Sequence, residues 1–223
     1  MEFSISFYGA AQNVTGSRYL LSARGKKILI DCGLYQERDL KDRNWATFPV
    51  SPSELDAVVL THAHLDHCGL LPKLVREGFD GPIYGTRPTI DIAKIVMLDS
   101  AKINEEDAEF KRRRHQREGR KSPHPVLPLY TVEDAQAVTP LLKPWDFSKP
   151  LELGPGLSVE FIEVAHILGA AAVKFSVVDG KKTRTVLFSG DVGRWDMPIL
   201  RDPAPVGPAD YAVVESTYGN RTH

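Results

Sequence analysis

The sequence has almost no net charge, few cysteines and no long apolar run. Its 28 Lys and Arg nearly balance 29 Asp and Glu, so bulk charge attracts neither nucleic acid nor an anionic membrane. Two cysteines, Cys32 and Cys68, are too few for a disulfide framework, and we expect reduced thiols. No apolar run approaches the roughly 20 residues that span a bilayer, and the start MEFSISFYG lacks a signal-peptide pattern. We therefore expect a cytoplasmic protein without a membrane partner.

Short strand-like segments separated by turn residues predict a mixed α/β protein. The segment Ser17 to Gly33 indicates a hairpin that turns at Arg24 to Lys26, and Ala171 to Asp191 indicates another around Asp179-Gly180. A helix is predicted from Pro88, with Ile92, Ile95, Val96 and Ile103 near helical spacing, before the chain turns strongly polar and leaves the globule. A second, short helix is expected to be capped by Thr131, with Asp134 in a capping-box position.

Acidic or imidazole groups follow five of the strand-like runs. These groups are Asp31, the cluster THAHLDHCG at Thr61 to Gly69, His166, Asp191 and Glu215. If the strands run the same way in one sandwich, their carboxyl ends meet at one edge, where layered α/β folds present function. Three histidines of the cluster, a fourth from His166 and four carboxylates would then lie together.

This set of side chains has the chemistry of a metal site. His62 and His64, two residues apart on an extended segment, can point the same way, and His166 would complete a three-nitrogen face that leaves one open coordination position.

The remaining groups suit a second ion. Asp66 and His67 project differently from the first pair, and Asp191 can bridge both ions through its two oxygens. Two ions roughly 3.5 to 4 Å apart would hold a hydroxide nucleophile between them. Asp31 is expected to lie outside the coordination sphere and to orient a ligand histidine.

Other interpretations remain open for single residues. A lone histidine such as His166 is more often a hydrogen-bonded core or surface group, and Asp31, Asp191 and Glu215 taken singly can be turn or cap residues. The spacing H-x-H-x-D-H is much harder to explain without a metal. Cys68 is expected to be a small buried apolar residue.

The order and spacing of these motifs resemble the metallo-β-lactamase superfamily, and within it the RNA-processing branch of the β-CASP group. That branch contains the endonuclease subunit of the messenger-RNA cleavage and polyadenylation machinery and its prokaryotic relatives. The motifs that carry the resemblance are THAHLDHCG, the histidine of AHILGAAAVKF, the aspartate of FSGDVGR, ESTYGNRTH, GAAQNVTGSRYLL and PLYTVEDA.

The resemblance implies a four-layer αββα sandwich with two divalent metal ions at one edge, zinc first, with manganese or iron as alternatives. It implies as their ligands His62, His64, Asp66, His67, His166 and Asp191. Asp31 matches the motif residue outside the coordination sphere, and Glu215 matches the acidic residue that helps to protonate the leaving group. Flavodiiron proteins, with Glu in place of His64, and the best-known subclass of zinc β-lactamases, with Cys in place of Asp191, are disfavoured.

The sequence departs from the β-CASP pattern at its end. A complete enzyme continues past ESTYG into a second domain and returns to supply two more histidines, and His223 stands too early to be either. We therefore expect an incomplete sandwich at residues 1–215, with a helical and basic excursion near 88–140, and the start of a missing β-CASP domain at 216–223. The C-terminal remainder, covalent or in trans, is an expected partner, and a homodimer is left open.

The basic run Phe110 to Lys121 is the local patch that can meet RNA phosphates, through Arg112, Arg113 and Arg114. A solvated helix end explains it equally well. His115 and His124 lie outside the strand-end pattern and are given no metal.

The predicted function is metal-dependent hydrolysis of RNA phosphodiester bonds by a bridging hydroxide, with Asp66 and Glu215 as catalytic residues. Two alternatives stay open. One is a thioester or lactone hydrolase of the same superfamily, and the other is a non-catalytic RNA-binding scaffold. Endonuclease against exonuclease action and RNA preference are not settled by the sequence.

Overall fold

The computed structural model of the protein describes residues 3–119, 126–217 and 219. The strands are β1 Phe3–Phe7, β2 Tyr19–Ala23, β3 Lys26–Ile30, β4 Ala57–Val59, β5 Ile83–Thr86, β6 Leu142–Trp145, β7 Leu151–Gly154, β8 Leu157–Glu163, β9 Ala171–Asp179, β10 Lys182–Phe188 and β11 Tyr211–Val213. The α-helices are α1 Leu65–Cys68, α2 Leu71–Arg76, α3 Arg87–Glu118 and α4 Val132–Val138. Short 3₁₀ turns lie at Lys41–Trp45, Pro52–Glu54 and Thr139–Leu141.

The strands form two sheets. The first has the order β1-β2-β3-β4-β5-β6, antiparallel up to β3 and parallel from β3 to β6. The second has the order β11-β10-β9-β8-β7 and is antiparallel except for the parallel pair β10 and β11. The predicted mixed α/β fold is therefore confirmed.

Both predicted hairpins are confirmed. In the first, Ala23 pairs with Lys26, so that Arg24 and Gly25 form a two-residue turn. Both turn residues have positive φ, 54° and 74°, as a type I′ turn requires. The second hairpin joins β9 to β10, with Asp179 paired to Lys182.

Alternating apolar residues divide the core into two main clusters. The cluster between the sheets takes Leu21, Ile28 and Ile30 from the first sheet and faces Phe161 and Phe175 of the second. The alternate residues of the first sheet lie on its opposite face. Leu20, Leu29 and Val58 pack there against the helices, in a second cluster. The order of layers is thus helices, first sheet, second sheet.

The outer face of the second sheet carries a smaller cluster. Ile162, Ala172 and Leu187 lie there, with Val206 and Ala209 of an irregular segment packed against them. Within the ranges that the structure describes, no helix covers this face. Cys32 and Cys68 are free and fully buried, as expected for apolar residues. Among the helices of the described residues, none combines the length and apolar character that crossing a membrane requires.

The long helix α3 begins where predicted, and its buried face is only partly the predicted one. Ile92 and Val96 pack against the core, whereas Ile95 and Ile103 are 67% and 52% exposed. The buried stripe is instead Ile90, Ala93, Met97, Ala101 and Ala108, where small side chains let the helix approach the sheet closely. The prediction overweighted large aliphatic residues. The helix also stays packed as far as Ala108, so only its last turns leave the globule.

The predicted capping box of α4 is confirmed. The Thr131 side chain accepts from the backbone of Asp134, and the Asp134 carboxylate accepts from the backbone of Thr131. Some sequence predictions fall outside the described residues. These are the end of the basic run at 120–121, His124, and most of the expected start of a further domain, at Tyr218 and 220–223.

Candidate metal centre

The strand ends that carry polar groups meet at one edge of the two sheets. β3 and β4 run parallel in the first sheet. In the second sheet, β8 and β10 are both antiparallel to β9, and β11 is parallel to β10, so these three run the same way. His166 follows β8 and His64 follows β4, and their ring nitrogens lie 3.2 Å apart. The predicted convergence therefore takes place across both sheets.

Three imidazoles surround one point at this edge. The ring centroids of His62, His64 and His166 lie 4.8 to 5.0 Å apart, with interplanar angles of 82° to 85°. Nδ1 of His64 lies 3.0 Å from Nε2 of His62 and 3.2 Å from Nε2 of His166. Nδ1 of His64 can carry only one proton and so cannot donate well to both neighbours. A cation placed among the three rings would instead accept one nitrogen lone pair from each ring.

The charge states of two rings suit metal binding. Burial, reinforced by the neighbouring His67, lowers the pKa of His62 well below its usual value. Burial also lowers the pKa of His166. The nearby Asp191 carboxylate raises this pKa, but by less than burial lowers it. Neutral imidazole is the form that binds a metal.

Asp191 stands between two groups of histidines. Its Oδ2 lies 3.7 Å from Nε2 of His62 and 3.5 Å from Nε2 of His166, and its Oδ1 lies 3.4 Å from Nε2 of His67. Burial opposes ionisation of Asp191, but the hydrogen bond and charge of His67 outweigh burial and lower its pKa. The carboxylate thus presents one oxygen to each group.

One set of four side chains is compact enough to hold an ion. Candidate ligand atoms of His62, His64, His166 and Asp191 all lie within 4.8 Å of one another. Three nitrogens and one carboxylate oxygen are the donors that zinc prefers. The residues present therefore fit a bound metal ion.

The expected second set is more open. Asp66 and His67 both lie on α1, and Oδ2 of Asp66 is 3.9 Å from Nε2 of His67. With Oδ1 of Asp191, they offer one nitrogen and two carboxylate groups, and the ring of His67 lies directly against that of His62, with 3.9 Å between the centroids.

Asp31 lies behind His67. Its Oδ2 is 2.7 Å from Nδ1 of His67, and the backbone N–H and hydroxyl of Thr61 donate to its two oxygens, at 2.8 Å each. Burial would lower the pKa of His67, but the carboxylates of Asp31 and Asp191 outweigh burial and raise it to about 10. Asp31 touches the ring nitrogen that faces away from Asp191, and therefore fixes the orientation of the ring.

Glu215 lies at the rim of the centre. Its Oε1 accepts from the backbone N–H of Val192 at 2.9 Å, and its own N–H donates to Oγ of Ser189 at 3.1 Å. Desolvation, reinforced by the Asp191 carboxylate, raises the pKa of Glu215. The side chain is therefore anchored to the same segment that carries Asp191.

Two glycines allow the chain segments of the centre to cross. A Cβ on Gly33 would lie 1.6 Å from the carbonyl oxygen of Asp66, and one on Gly193 would lie 1.8 Å from that of Ala165. The N–H of Gly193 donates to the carbonyl of Val164 at 2.8 Å. These close backbone contacts set the spacing between the metal-site loops.

Two cavities open from the centre. One, of about 520 Å³, is lined by residues that include Gln12, Asn13, His67, Asp191 and Glu215. The other, of about 670 Å³, is lined by Ala165, His166, Asp191, Val192, Gly193, Arg194, Met197, Glu215 and Thr217. Gln12, Asn13 and Arg194 were not singled out from the sequence, although they lie in the quoted motifs GAAQNVTGSRYLL and FSGDVGR.

Glu37 fixes the loop that carries Gln12, which lines the first of these cavities. Its Oε1 accepts from the N–H groups of Val14 and Thr15 at 2.8 and 2.9 Å, and its Oε2 accepts from the Thr15 hydroxyl. Gln12 has a φ of 64°, which is unusual for this residue type. Desolvation of Glu37 is outweighed by these hydrogen bonds, which lower its pKa to about 2.

The structure does not bring Arg112, Arg113 and Arg114 to the centre. The start of α3 lies beside the His166 loop, since the Thr86 hydroxyl donates to the carbonyl of Gly169 at 2.6 Å. At about 1.5 Å per residue, the three arginines lie about 40 Å further along the helix.

The same arginines are partly neutralised on their own helix. Arg113 pairs with Glu109, and Nε of Arg114 lies 3.2 Å from both carboxylate oxygens of Glu118. These ion pairs leave less charge for binding a phosphate. Because of the distance along the helix, any nucleic acid bound here would also lie far from the candidate metal centre.

Comparison with known proteins gives one family and several curated relatives. The model of the metallo-beta-lactamase superfamily matches residues 14–217. Ribonuclease TTHA0252 of Thermus thermophilus is 40% identical over 97% of this chain and 44% of its own length. Transcription termination factor FttA of Methanocaldococcus jannaschii is 30% identical over 96% of this chain and 31% of its own length. Cleavage and polyadenylation specificity factor 73 of Drosophila melanogaster is 28% identical over 96% of this chain and 28% of its own length. The chain thus spans less than half the length of these relatives, and the resemblance predicted from its motifs is confirmed.

Proposed function

The chain belongs to the metallo-beta-lactamase superfamily, and we propose that it forms the metal-binding part of a ribonuclease that hydrolyses RNA phosphodiester bonds. The observation that carries this proposal is the compact set of three histidines and Asp191 at the meeting edge of the two sheets. The name of the Thermus relative, a ribonuclease, supports RNA as the substrate.

Two divalent ions fit the donors present. His62, His64, His166 and one oxygen of Asp191 would hold the first, and Asp66, His67 and the other oxygen of Asp191 would hold the second. Zinc suits the first set, and manganese or iron remain alternatives. When bound, such ions supply a water-derived nucleophile at neutral pH and stabilise the negative charge that develops on the phosphate.

The side chains around the ions position and move protons. The raised pKa of His67 means that an ion must displace the proton on Nε2; Asp31 would then hold the remaining proton on Nδ1, so that Nε2 would be free to bind the ion. Asp66 lies beside that nitrogen and orients the attacking group. The raised pKa of Glu215 and its place at the rim suit it to protonate the leaving oxygen.

We propose that residues 1–215 are the first part of the catalytic domain, and that the rest of the enzyme covers the cleft. The short span of the chain relative to its curated relatives supports this division. The second set of ligands has a single histidine, so we expect the 223-residue chain to hold at most one well-occupied metal ion and to have little nuclease activity. Supplying a C-terminal remainder, covalently or in trans, should restore it.

The test is cleavage of an end-labelled single-stranded RNA by the metal-loaded chain, alone and joined to the C-terminal portion of a curated relative. The joined protein should cleave the RNA, and its Asp191→Ala variant should not. A joined protein that binds metal but hydrolyses only a thioester or a lactone would contradict the proposal. Robust cleavage by the chain alone, lost on Asp191→Ala, would contradict the expected need for the remainder.

A further inference from the structure

The walls of the two cavities at the metal centre are predominantly acidic where they are charged. Asp31, Asp191 and Glu215 line them, and Asp66 lies beside His67. Among the described residues that line either cavity, Arg194 is the one lysine or arginine. A polyanionic strand that enters here meets carboxylates on several sides and one guanidinium.

The backbone that carries Arg194 is held firmly next to the centre. Arg194 follows Gly193, whose N–H donates to the carbonyl of Val164 at 2.8 Å, and the tight crossing at Ala165 leaves no room for a side chain at position 193. Asp191 lies three residues before Arg194. The position of Arg194 relative to the metal ligands is therefore set by the fold.

The charge of Arg194 is not used within the protein. Its side chain is exposed, and within the described parts of the chain it makes no hydrogen bond or ion pair. Two other exposed arginines are paired within the protein: Arg24 with Asp179 and Arg184 with Asp210, at 3.1 and 2.7 Å. A guanidinium that is both unpaired and located at a cavity wall is free to bind a ligand.

We propose that Arg194 binds a backbone phosphate of the substrate strand beside the metal centre, and so selects an anionic substrate over a neutral ester. The inference rests on the proposed function and names a residue that recognises its substrate. The planar guanidinium donates two parallel hydrogen bonds to a phosphate, which a lysine cannot reproduce. One such contact also offsets the repulsion between the strand and Glu215.

The experiment measures binding of a fluorescein-labelled 12-mer single-stranded RNA to the zinc-loaded chain, by anisotropy across a series of KCl concentrations. Arg194→Gln should weaken binding about tenfold at low salt, the loss expected for one charged hydrogen-bonded contact. The slope of log affinity against log salt should fall by about 0.7, the value for one phosphate contact on a single strand. Arg194→Lys should keep the slope and recover only part of the affinity.

The matched control is Arg201→Gln, which removes an exposed arginine of the same segment that lines neither cavity. It should behave as the wild type, and all variants should keep the wild-type zinc content and melting temperature. A morpholino oligonucleotide of the same sequence, whose backbone is uncharged, should bind weakly and without regard to residue 194.

Two results would overturn the inference in distinguishable ways. In the first, the wild type binds RNA in a salt-dependent way and Arg194→Gln gives the same slope of log affinity against log salt. Arg194 would then not contact a phosphate, and the proposed function would stand. A wild-type chain that binds RNA no better than the morpholino would overturn the inference, whereas the proposed function fails only if the joined protein does not cleave RNA.

Discussion

The Oδ2 atom of Asp31 and the Nδ1 atom of His67 lie 2.7 Å apart, although 36 residues separate them in the chain. Both side chains are buried, so the contact is shielded from water. The φ of Asp31 is 57°, a left-handed conformation that Asn also tolerates. The charge of this carboxylate can therefore be removed without disturbing its backbone.

We expect Asp31→Asn to lower the affinity of the protein for the metal ion that His67 binds by about tenfold, because the ring loses its fixed orientation. Calorimetric titration with zinc and manganese at constant pH would measure this change. The ion held by His62, His64 and His166 should bind as in the wild type. A variant that binds both ions with the affinities of the wild type would contradict the role given to Asp31.

Replacing His62 and His64 together by Ala should abolish binding of the first ion, because two of its three nitrogen donors are lost. Elemental mass spectrometry of the purified protein would show the loss. His115→Ala, on the exposed end of α3, is the control and should leave the metal content unchanged. Equal metal content in the double variant and the wild type would exclude this site.

Replacing Arg112, Arg113 and Arg114 by Ala should weaken RNA binding and flatten its salt dependence, if these residues contact phosphate. Since Arg113 and Arg114 pair with glutamates, most of the effect should come from Arg112. Single variants, measured by the same anisotropy titration, would separate the three. An unchanged slope in the triple variant would show that this helix end is simply solvated.

Glu37→Gln should destabilise the protein near neutral pH, on the order of 1 kcal/mol, because hydrogen bonds to a charged carboxylate become hydrogen bonds to a neutral amide. The folded-state pKa of Glu37 is lowered to about 2, so its contribution is fully present above the unfolded pKa, near 4.5, and is lost as the pH falls toward 2. Urea unfolding of both proteins between pH 7 and pH 3 should show the two midpoints converging. If the difference between the two urea midpoints stayed constant from pH 7 to pH 3, the charge of Glu37 would not contribute to stability through these hydrogen bonds.

The metal centre was predictable because its residues follow strands with simple patterns. The runs before Asp31, the His62 cluster and Asp191 are short and apolar, and they end in groups that cannot stay buried without partners. A parallel arrangement then brings such ends to one edge. The chemistry of the candidate ligands could thus be predicted from the strand ends, whereas their meeting across two sheets was an assumption about how the sheets pack.

Other parts depend on packing that a single sequence does not display. The face that α3 buries is set by how closely the helix approaches the sheet, which favours Ala93 and Ala101 over the larger Ile95. Strand β6 contains Pro144, which argues against a strand, and is tolerated because it lies at the edge of its sheet. Arg194 is a single basic residue outside any basic run, and the role proposed for it rests on the cavity that it lines.

The nitrogen ligands come from both sheets, with His64 and His166 separated by 102 residues. Neither sheet alone can assemble the three-histidine face, so an ion held by all three rings would bind only after the two sheets have packed together. Non-local contacts of this kind form slowly during folding. The absorption of a cobalt ion bound by all three imidazoles would therefore report whether the two sheets are packed against each other.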